Sequence, residues 1–315
     1  MYRLVLARLL SAIPVLLLVS LLTLSLVWLV PGDAAVEMAG ASATQDEVAR
    51  IRTQMGLDKP LATQAVDWYV NLLHGDLGQS LLLNRSVTQA IVERLPVTGS
   101  LTLLAFVITV VAGLASGVLA AVKRNTWIDQ GVMTLSLLGL SLPDFWLGLV
   151  GIYVFAVTLG WFPTGGYVPF TVSPLGWLHS LFLPALALAA TQMGVLARMT
   201  RSSMLEVLSQ DYIRTARAKG LPMRIVVGKH AMANIAIPTL TVVGINVGIL
   251  VGGAVIVESV FSIPGVGRLV IGAIQRRDIP VIQGGLLMIA CAMVLINLVV
   301  DLLYAAFDPR VRRAR

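Results

Sequence analysis

The sequence predicts an all-α polytopic membrane protein with six transmembrane helices. Of the 315 residues, 57% are hydrophobic and only 12% are charged, which is more apolar surface than a soluble core of this size can bury. Several apolar runs without charged residues are long enough to cross a bilayer. Lys and Arg collect between alternate runs, as expected of a multi-pass protein. The one cysteine, Cys291, lies inside the last run, so neither a disulfide framework nor a cysteine metal site is predicted.

The first apolar run extends over 22 residues, from Leu9 to Val30. At about 1.5 Å per residue, a helix of this length spans the hydrocarbon layer of roughly 30 Å. A cleavable signal peptide is the alternative, but its apolar region would have only about 7 to 15 residues, which favours a retained anchor. Five further spans are predicted: Ser100 to Val122, Gly131 to Trp161, Trp177 to Ala197, Ile237 to Val257 and Val281 to Tyr304.

Both chain termini are predicted to lie in the cytoplasm. With the N-terminus inside, the cytoplasmic segments carry 15 of the 23 basic residues, as the positive-inside rule requires. These residues are Arg3, Arg8, Lys123, Arg124, Arg198, Arg201, Arg214, Arg217, Lys219, Arg224, Lys229, Arg310, Arg312, Arg313 and Arg315. The net charge of +7 is then a signal of topology, with the lipid bilayer as partner. No basic patch with interleaved aromatic residues suggests nucleic acid as a partner.

The largest soluble region, residues 31–96, lies between the first two spans and is expected to form a small external subdomain. Capping and stop residues predict three short helices in it: Thr44 with Glu47 to Gly56, Pro60 to His74 before Gly75, and Ser86 with Gln89 to a point before Pro96. The region either caps the helix bundle or docks an extracytoplasmic partner. The chain is thus divided into residues 1–30, 31–96 and 97–315, the last including a cytoplasmic segment at 200–236.

The third span contains a proline and a carboxylate at membrane depth, in Ser141-Leu-Pro-Asp-Phe-Trp146. Proline leaves a backbone carbonyl without its helical partner, and a carboxylate in hydrocarbon is costly unless it faces a cavity or a partner. This span is therefore expected to face the protein interior. Asp144 is either a paired structural residue or, together with Phe145 and Trp146, part of the lining of a path through the membrane.

A loop at the outer face is predicted after the fifth span, in Glu258-Ser-Val-Phe-Ser-Ile-Pro-Gly-Val-Gly-Arg268. Two glycines that follow a proline are not expected to continue a helix. Glu258 is expected to pair with Arg268 or with Arg276. The loop is either a structural re-entrant turn or part of an outer gate that includes Glu258, Phe261 and Arg268.

A short polar helix with its own stop signal is predicted between the fourth and fifth spans, from Tyr212 to Pro222. Gly220 suits the left-handed conformation that closes a helix. Pro222 blocks continuation and suits the first turn of a new helix that runs on through Val226 to His230.

The same segment carries three cations and three small residues near its end. Arg214, Arg217 and Lys219 suit the negative end of the helix dipole. The small residues Thr215, Ala216 and Ala218 would let another protein approach the backbone. The segment is either a plain cytoplasmic loop whose charge sets topology or a docking element for a soluble partner.

The stretch Arg-Thr-Ala-Arg-Ala-Lys-Gly at 214–220 resembles the "E-A-A, three residues, G" signature of ABC importer permeases, in its peptide-transporter form. In that family the segment is the cytoplasmic coupling helix, which sits in a cleft of the ATPase. Arg214, Thr215 and Ala216 replace E-A-A, and the interval from Gly220 to Pro238 is longer than in sugar permeases; both features resemble the peptide and nickel branch. The resemblance implies ATPase coupling by Tyr212, Arg214, Thr215, Ala216, Arg217, Ala218, Lys219, Gly220 and Leu221.

Further motifs extend the resemblance over nearly the whole chain. They are Gly56-Leu-Asp-Lys-Pro60, Gly75-Asp-Leu-Gly-Gln-Ser80, Arg94-Leu-Pro96, Ser-x-Pro-x-Phe-Trp at 141–146, Phe-x-x-Pro-Gly-x-Gly at 261–267, Arg-Asp-x-Pro at 277–280, Asn297 to Asp301 and Asp308-Pro-Arg310. Asp144 is not a position that the family fixes. The resemblance implies a permease subunit of a type I importer in the bacterial inner membrane. The implied partners are a homologous second permease, two cytoplasmic ATPases and an extracytoplasmic substrate-binding protein.

The sequence contains no G-x-x-x-x-G-K-[ST] motif, so the chain is not expected to be the ATPase or any other enzyme; ATP and Mg²⁺ would be used by partner subunits. No cofactor or metal site is expected, since His74, His179 and His230 fall in separate segments. Peptides are the expected cargo, with nickel, glutathione or another small solute as alternatives. A different class, an ion-driven secondary transporter with Asp144 and Asp301 as coupling carboxylates, would show two similar halves, and no clear repeat is present.

Overall fold

The computed structural model describes residues 2–29, 35–36, 43–54, 56–80 and 82–307, and these are predominantly helical. In chain order the elements are α1 (Tyr2–Leu29), α2 (Gln45–Gln54), α3 (Leu61–Leu73), β1 (Gln79–Ser80), β2 (Arg85–Ser86), α4 (Val87–Val92), α5 (Leu95–Val122), α6 (Trp127–Ser141), α7 (Asp144–Gly151) with a π-helical extension (Ile152–Thr158), α8 (Pro174–Leu208), α9 (Asp211–Ala218), α10 (Met223–Ile225) with a π-helical extension (Val226–Ala231), α11 (Met232–Val260), α12 (Val266–Gln275) and α13 (Ile279–Phe307). The all-α fold class is confirmed.

Within the described residues, five helices are long and apolar enough to cross a membrane. Their apolar stretches are Arg8–Ser25, Val87–Val122, Pro174–Leu208, Pro238–Val260 and Ile279–Val300. These agree with five of the six predicted spans. A sixth span is present only if α6 and α7, with its π-helical extension, are counted as one broken span.

The third span is not the continuous helix expected from Gly131 to Trp161, because the chain bends by 107° between α6 and α7. Leu142, which precedes a proline, takes extended dihedrals of φ −109° and ψ 133°. Pro143 then stands at the N-cap of α7. The cause is the clash of a proline ring with a helical residue before it, together with the missing proline N–H.

The structure divides into two compact units. The first, called the core unit, comprises Gly99–Ile263 and Ile296–Arg315. At its centre the long helix α8 packs against α6, α7 and α11. Close approach depends on glycine: a Cβ at Gly117 would lie 2.5 Å from the Ala197 carbonyl oxygen, and one at Gly194 would lie 2.7 Å from that of Ser136. Small residues at helix contacts are the usual means of tight packing in membrane proteins.

The second unit, called the hairpin unit, comprises Tyr2–Thr98 and Pro264–Leu295. It holds a two-stranded antiparallel hairpin in which Gln79 pairs with Ser86 and Ser80 pairs with Arg85. One apolar cluster joins α4, α12 and the start of α13; it contains Val87, Ala90, Ile91, Val266, Leu269, Val270, Ala273, Ile279, Val281 and Ile282. The division at residues 30 and 96 that the sequence suggests stays a prediction.

All three short helices predicted in the external region form, within the described residues. At α2, the Thr44 backbone N–H donates to Glu47 Oε2 at 2.8 Å, and the Glu47 N–H donates back to Thr44 Oγ1 at 3.4 Å. This capping box lowers the pKa of Glu47, because the hydrogen bonds from Thr44 favour the carboxylate. Gly56 after α2 and Gly75 after α3 have φ values of +67° and +77°.

The capping box predicted at Ser86 is wrong. Ser86 is the N-cap of α4, but its side chain makes no capping hydrogen bond. Gln89 donates instead to the Glu93 carboxylate at 3.0 Å, and Glu93 also pairs with Arg85 at 2.6 Å. The Gln89 side chain is thus engaged by the carboxylate of Glu93, the C-cap residue of α4, and hydrogen bonds to ionised groups are the stronger ones.

The loop predicted from Glu258 to Arg268 is much shorter than expected. α11 continues to Val260, and α12 begins at Val266, where the backbone N–H donates to Thr98 Oγ1 at 2.9 Å. Gly267 is therefore helical. The reason is the apolar stripe of α12, whose buried face joins the cluster of the hairpin unit and outweighs the low helix propensity of one glycine.

Some predictions fall outside the described residues. These are the beginning of the external region at 30–34 and 37–42, and the C-terminal segment 308–315 with its Asp-Pro-Arg motif and four arginines. The side chain of Asp301 is also outside the description.

Candidate functional site

The helix stop predicted at Gly220 is confirmed. α9 ends at Ala218, with Lys219 as its C-cap, and Gly220 has a φ of +80°. The Gly220 N–H donates to the Arg217 carbonyl at 2.9 Å, and the Leu221 N–H donates to the Ala216 carbonyl at 3.3 Å. These two bonds are those of a Schellman motif, which satisfies carbonyls at a helix end. The exit of the chain from α9 is thus set by hydrogen bonds.

Pro222 is not in the first turn of the new helix, as predicted, but immediately before it. It is the N-cap of α10, with extended dihedrals of φ −65° and ψ 146°, and the first helical residue is Met223. The new helix does run through Val226 to His230, in a π-helical turn, and continues directly into α11. α9 is therefore connected to α8 on one side by two residues and to α11 on the other side by a short helical segment.

One face of α9 is anchored to the protein. Ile213, Ala216 and Val226 form a buried cluster, with Leu208 packed against it. Ala216 is only 9% exposed, so the expectation that it offers a close approach to another protein is wrong. Positions 213 and 216 are three residues apart and share the apolar face of an amphipathic helix, which turns Ala216 inward.

The remaining predicted coupling residues form the exposed face of the segment; they are Tyr212, Arg214, Thr215, Arg217, Ala218, Lys219, Gly220 and Leu221. On this face Arg214 forms an exposed pair with Asp211 at 3.4 Å. Such an exposed pair stabilises little. The face therefore presents positive charge, small residues and one aromatic side chain to the solvent. Its role in ATPase coupling stays a prediction.

A partly buried ion pair between α6 and α8 was not predicted from the sequence. Arg201 Nε and Nη2 donate to Asp129 Oδ1 and Oδ2 at 2.5 and 2.8 Å. Asp129 Oδ2 also accepts the backbone N–H of Asn125 at 2.9 Å. The pair ties the first turn of α6, and through Asn125 the turn before it, to α8. Sequence reasoning used Arg201 only as a topology signal; an acidic residue in the first turn of an apolar helix, at Asp129, was the available clue.

Asp144 is held at the bend between α6 and α7. Its Oδ1 accepts a hydrogen bond from Thr191 Oγ1 on α8 at 2.5 Å, and the same hydroxyl lies 3.1 Å from the Gly139 carbonyl. A hydroxyl has one proton, so the two acceptors share it. Asp144 also lies beside α11, since a Cβ at Gly253 would be 3.5 Å from its Oδ2. Asp144 therefore has a hydrogen-bond partner, and its role in lining a path stays a prediction.

The other predicted lining and gate residues differ from one another in how exposed their side chains are. Phe145 and Trp146 are 42% and 44% exposed, whereas Phe261 is 1% exposed. Phe261 packs against Gly148 of α7, where a Cβ would lie 2.9 Å from its ring, and its carbonyl accepts the Gly166 N–H at 3.0 Å. Glu258 is fully buried on α11. A lining or gating role for these residues stays a prediction.

Arg268 lies on α12 in the hairpin unit, whereas Glu258 belongs to the core unit. The predicted pairing of these two residues stays a prediction. In the hairpin unit itself, Ser80 Oγ donates to Asp278 Oδ2 at 2.5 Å, and the Leu83 N–H donates to Ser80 Oγ at 2.9 Å. These bonds tie the hairpin to the turn between α12 and α13. Among the residues that the structure describes, no three His, Cys, Asp or Glu side chains are grouped as metal ligands.

The sequence matches two family descriptions that together cover almost the whole chain. Residues 113–313 match the binding-protein-dependent transport system inner membrane component, and residues 1–102 match the N-terminal region of the membrane component of such systems. The predicted coupling segment and α11 fall within the first match. The external region falls within the second.

Curated relatives match over their full length. A protein named as a peptide transport system permease in Brucella abortus (strain 2308) is 54% identical over 312 residues, covering 99% of each chain. A protein named as a peptide ABC transporter permease in Sinorhizobium fredii is 42% identical and covers 98% of each chain. A glutathione transport system permease of Salmonella typhimurium is 44% identical and covers 99% of each chain.

Proposed function

The chain belongs to the family of inner membrane components of binding-protein-dependent transport systems, and we propose that it is a permease subunit of an ATP-driven peptide importer. The observation that carries this proposal is the match of the chain, over 99% of its length, to a relative named as a peptide transport permease. The family is a transport component and not an enzyme. Several apolar helices agree with a multi-pass protein of the inner membrane.

In this proposal ATP binding and hydrolysis, with Mg²⁺, occur in two cytoplasmic ATPase subunits. A homologous permease and an extracytoplasmic binding protein complete the transporter. The absence of a phosphate-binding loop motif from the sequence supports the assignment of ATP chemistry to partners. The predicted topology, with both termini in the cytoplasm, puts α9 on the side of the ATPases.

The geometry of α9 supports its role as the coupling helix. Its exposed face is available to a partner, while Ile213 and Ala216 anchor its other face. Because α9 lies between α8 and α11, which pack against each other, a displacement of α9 acts on both helices. Packed helices respond to such a displacement by shifting between discrete arrangements. ATP-driven closure of the ATPases would in this way change access to the path between the helices.

Peptides are the proposed cargo because two of the relatives are named as peptide permeases. Glutathione, which is itself a tripeptide, is the second candidate, since a relative of 44% identity is named as a glutathione permease. The ion-driven alternative is disfavoured by membership in a binding-protein-dependent family.

The proposal is tested by uptake in cells that lack this chain and in cells that regain it. We expect uptake of labelled dipeptides or oligopeptides to be lost and restored, and to persist when the proton gradient is collapsed with ATP maintained. Preferential loss of glutathione uptake would select the second candidate. Unchanged uptake of peptides and of glutathione would contradict the proposal, as would ATP hydrolysis by the purified chain alone.

A further inference from the structure

One side of α3, the second helix of the external region, presents a row of exposed apolar side chains. They recur at intervals of four, four and three residues, which places them on one face of the helix. Val66, Val70 and Leu73 are 60%, 47% and 87% exposed, and Ala62 is exposed as well. These four residues are called the apolar stripe. Exposed apolar side chains that are grouped in this way mark a contact surface.

The rest of α3 has two further faces. The partly buried face, by which the helix packs, consists of Ala65, Trp68, Tyr69 and Leu72. The polar face consists of Thr63, Gln64, Asp67 and Asn71. Three of these polar residues, Gln64, Asp67 and Asn71, line a cavity of about 410 Å³ in the hairpin unit. Because the polar face and the apolar stripe are separate, α3 suits a boundary between a polar and an apolar environment.

A hydrogen bond fixes the depth of α3 relative to the first membrane span. The Tyr69 hydroxyl donates to Ser20 Oγ at 2.9 Å, since the one proton of Ser20 is engaged by the Leu17 carbonyl at 2.8 Å. Ser20 belongs to the apolar stretch Arg8–Ser25 of α1 and precedes its end by five residues. At 1.5 Å per residue, Ser20 lies about 7.5 Å inside that end. Tyr69 therefore reaches the level of the hydrocarbon layer.

The surroundings of this bond are those of a bilayer interface. Leu18, Leu21 and Leu22, next to Ser20 on α1, are each more than half exposed, as expected of side chains that face lipid. The rings of Trp68 and Tyr69 meet edge to face, with centroids 5.1 Å apart. Trp and Tyr are enriched where membrane meets water. The apolar stripe continues from Val70, the residue after Tyr69, so it lies close to the same level.

We propose that α3 is an interfacial helix whose apolar stripe inserts into the lipid leaflet that holds the C-terminal end of α1. In the predicted topology this is the outer leaflet. The polar face then borders the aqueous cavity, and the stripe contacts acyl chains. Helices of this kind bury their apolar face about 5 to 10 Å into the boundary between headgroups and acyl chains. The proposal rests on α1 as a membrane span and holds for any cargo.

The test is the accessibility of nitroxide spin labels on α3. In a Cys291→Ser background, single labels are placed on the stripe through Val66→Cys and Val70→Cys, and on the polar face through Thr63→Cys and Asn71→Cys as matched controls. All four positions are exposed, so the labels leave the packed face intact. The chain is purified with the subunits that remain bound to it and reconstituted in liposomes of phosphatidylethanolamine and phosphatidylglycerol.

Collisions with oxygen, which concentrates in lipid, are compared with collisions with a water-soluble nickel chelate. We expect the ratio of oxygen to nickel collisions to be several-fold higher at the stripe than at the controls. The ratio should place the stripe labels about 5 to 10 Å below the headgroups.

Three outcomes would overturn the proposal. Stripe labels that meet the nickel chelate as often as the controls do would show that the stripe faces water. Stripe labels protected from both reagents would show that protein covers the stripe, either a second permease subunit or a binding protein. Equal, high ratios at all four positions would show that α3 is immersed in lipid on every side and does not mark the interface.

Discussion

At Gly220 a substitution acts through the backbone alone, because φ is +80° and a Cβ built there would meet no atom within 4 Å. A side chain in this left-handed conformation costs on the order of 1 to 2 kcal/mol. We predict that Gly220→Ala weakens the Schellman motif and misdirects the exit at Leu221. Substrate-stimulated ATP hydrolysis and uptake should then fall several-fold in the reconstituted transporter, with normal amounts of protein in the membrane.

Gly228 offers a matched control for this prediction. A Cβ there also meets no atom within 4 Å, but its φ is not positive, so the same change to alanine causes no strain. Gly228→Ala should transport at the unmodified rate. Equal effects of the two substitutions, or full activity of Gly220→Ala, would show that the stop of α9 does not matter for coupling.

At the scale of elements, α9 depends on a small buried cluster for its position. Ile213 is 1% exposed, and truncation of such a residue typically costs about 2 to 5 kcal/mol. We predict that Ile213→Ala detaches α9, so that backbone amides of residues 211–218 exchange hydrogen faster and coupling is lost. Tyr212→Ala, on the exposed face, should reduce ATPase coupling without faster exchange. Unchanged exchange in Ile213→Ala would contradict the anchoring role.

The Asp129–Arg201 pair joins two elements, since the first turn of α6 and the C-terminal part of α8 meet through it. Its side chains are 5% and 25% exposed. We predict that Asp129→Asn and Arg201→Gln each destabilise the chain in detergent unfolding. A double-mutant cycle should give a coupling of roughly 0.5 to 3 kcal/mol, because both variants remove the same interaction.

The exposed pair of Lys59 with Asp67, at 2.6 Å, serves as the comparison for this cycle. Its side chains are about half exposed, and the neighbouring carboxylate raises the pKa of Lys59. Because water and salt screen such pairs, Lys59→Gln should barely change the unfolding transition. If the variants of the two pairs behave alike, the Asp129–Arg201 pair does not link the helices.

For the whole molecule, the prediction concerns topology. In a Cys291→Ser background, single cysteines at Gln45 and at Ser209 should react with an impermeant thiol reagent from opposite sides of the membrane. The physical reason is the retention of Lys and Arg on the cytoplasmic side, which sets the direction of each span. Labelling of intact cells and of inverted vesicles shows on which side of the membrane each cysteine lies. Labelling of both positions in intact cells would exclude the predicted arrangement.

The sequence by itself determined the features that depend on neighbouring residues. The apolar runs, the capping box at Thr44 and the glycine stops at residues 56, 75 and 220 are local, because a few adjacent residues decide the dihedral angles. The family signature of the coupling segment is likewise a run of adjacent residues, so the sequence alone reveals it. Proline at position 143 likewise predicted a disturbance in the third span.

The tertiary structure decided what depends on residues far apart in the chain. The two helices on either side of the 107° bend at Pro143 both pack on α8, and Ala216 turns inward because Val226 and Ile213 lie on that side. The Asp129–Arg201 bond joins residues 72 positions apart, and the Ser80–Asp278 bond joins residues 198 apart. Local propensity contains no information about such partners, because the burial and charge that favour them exist only once the helices have packed.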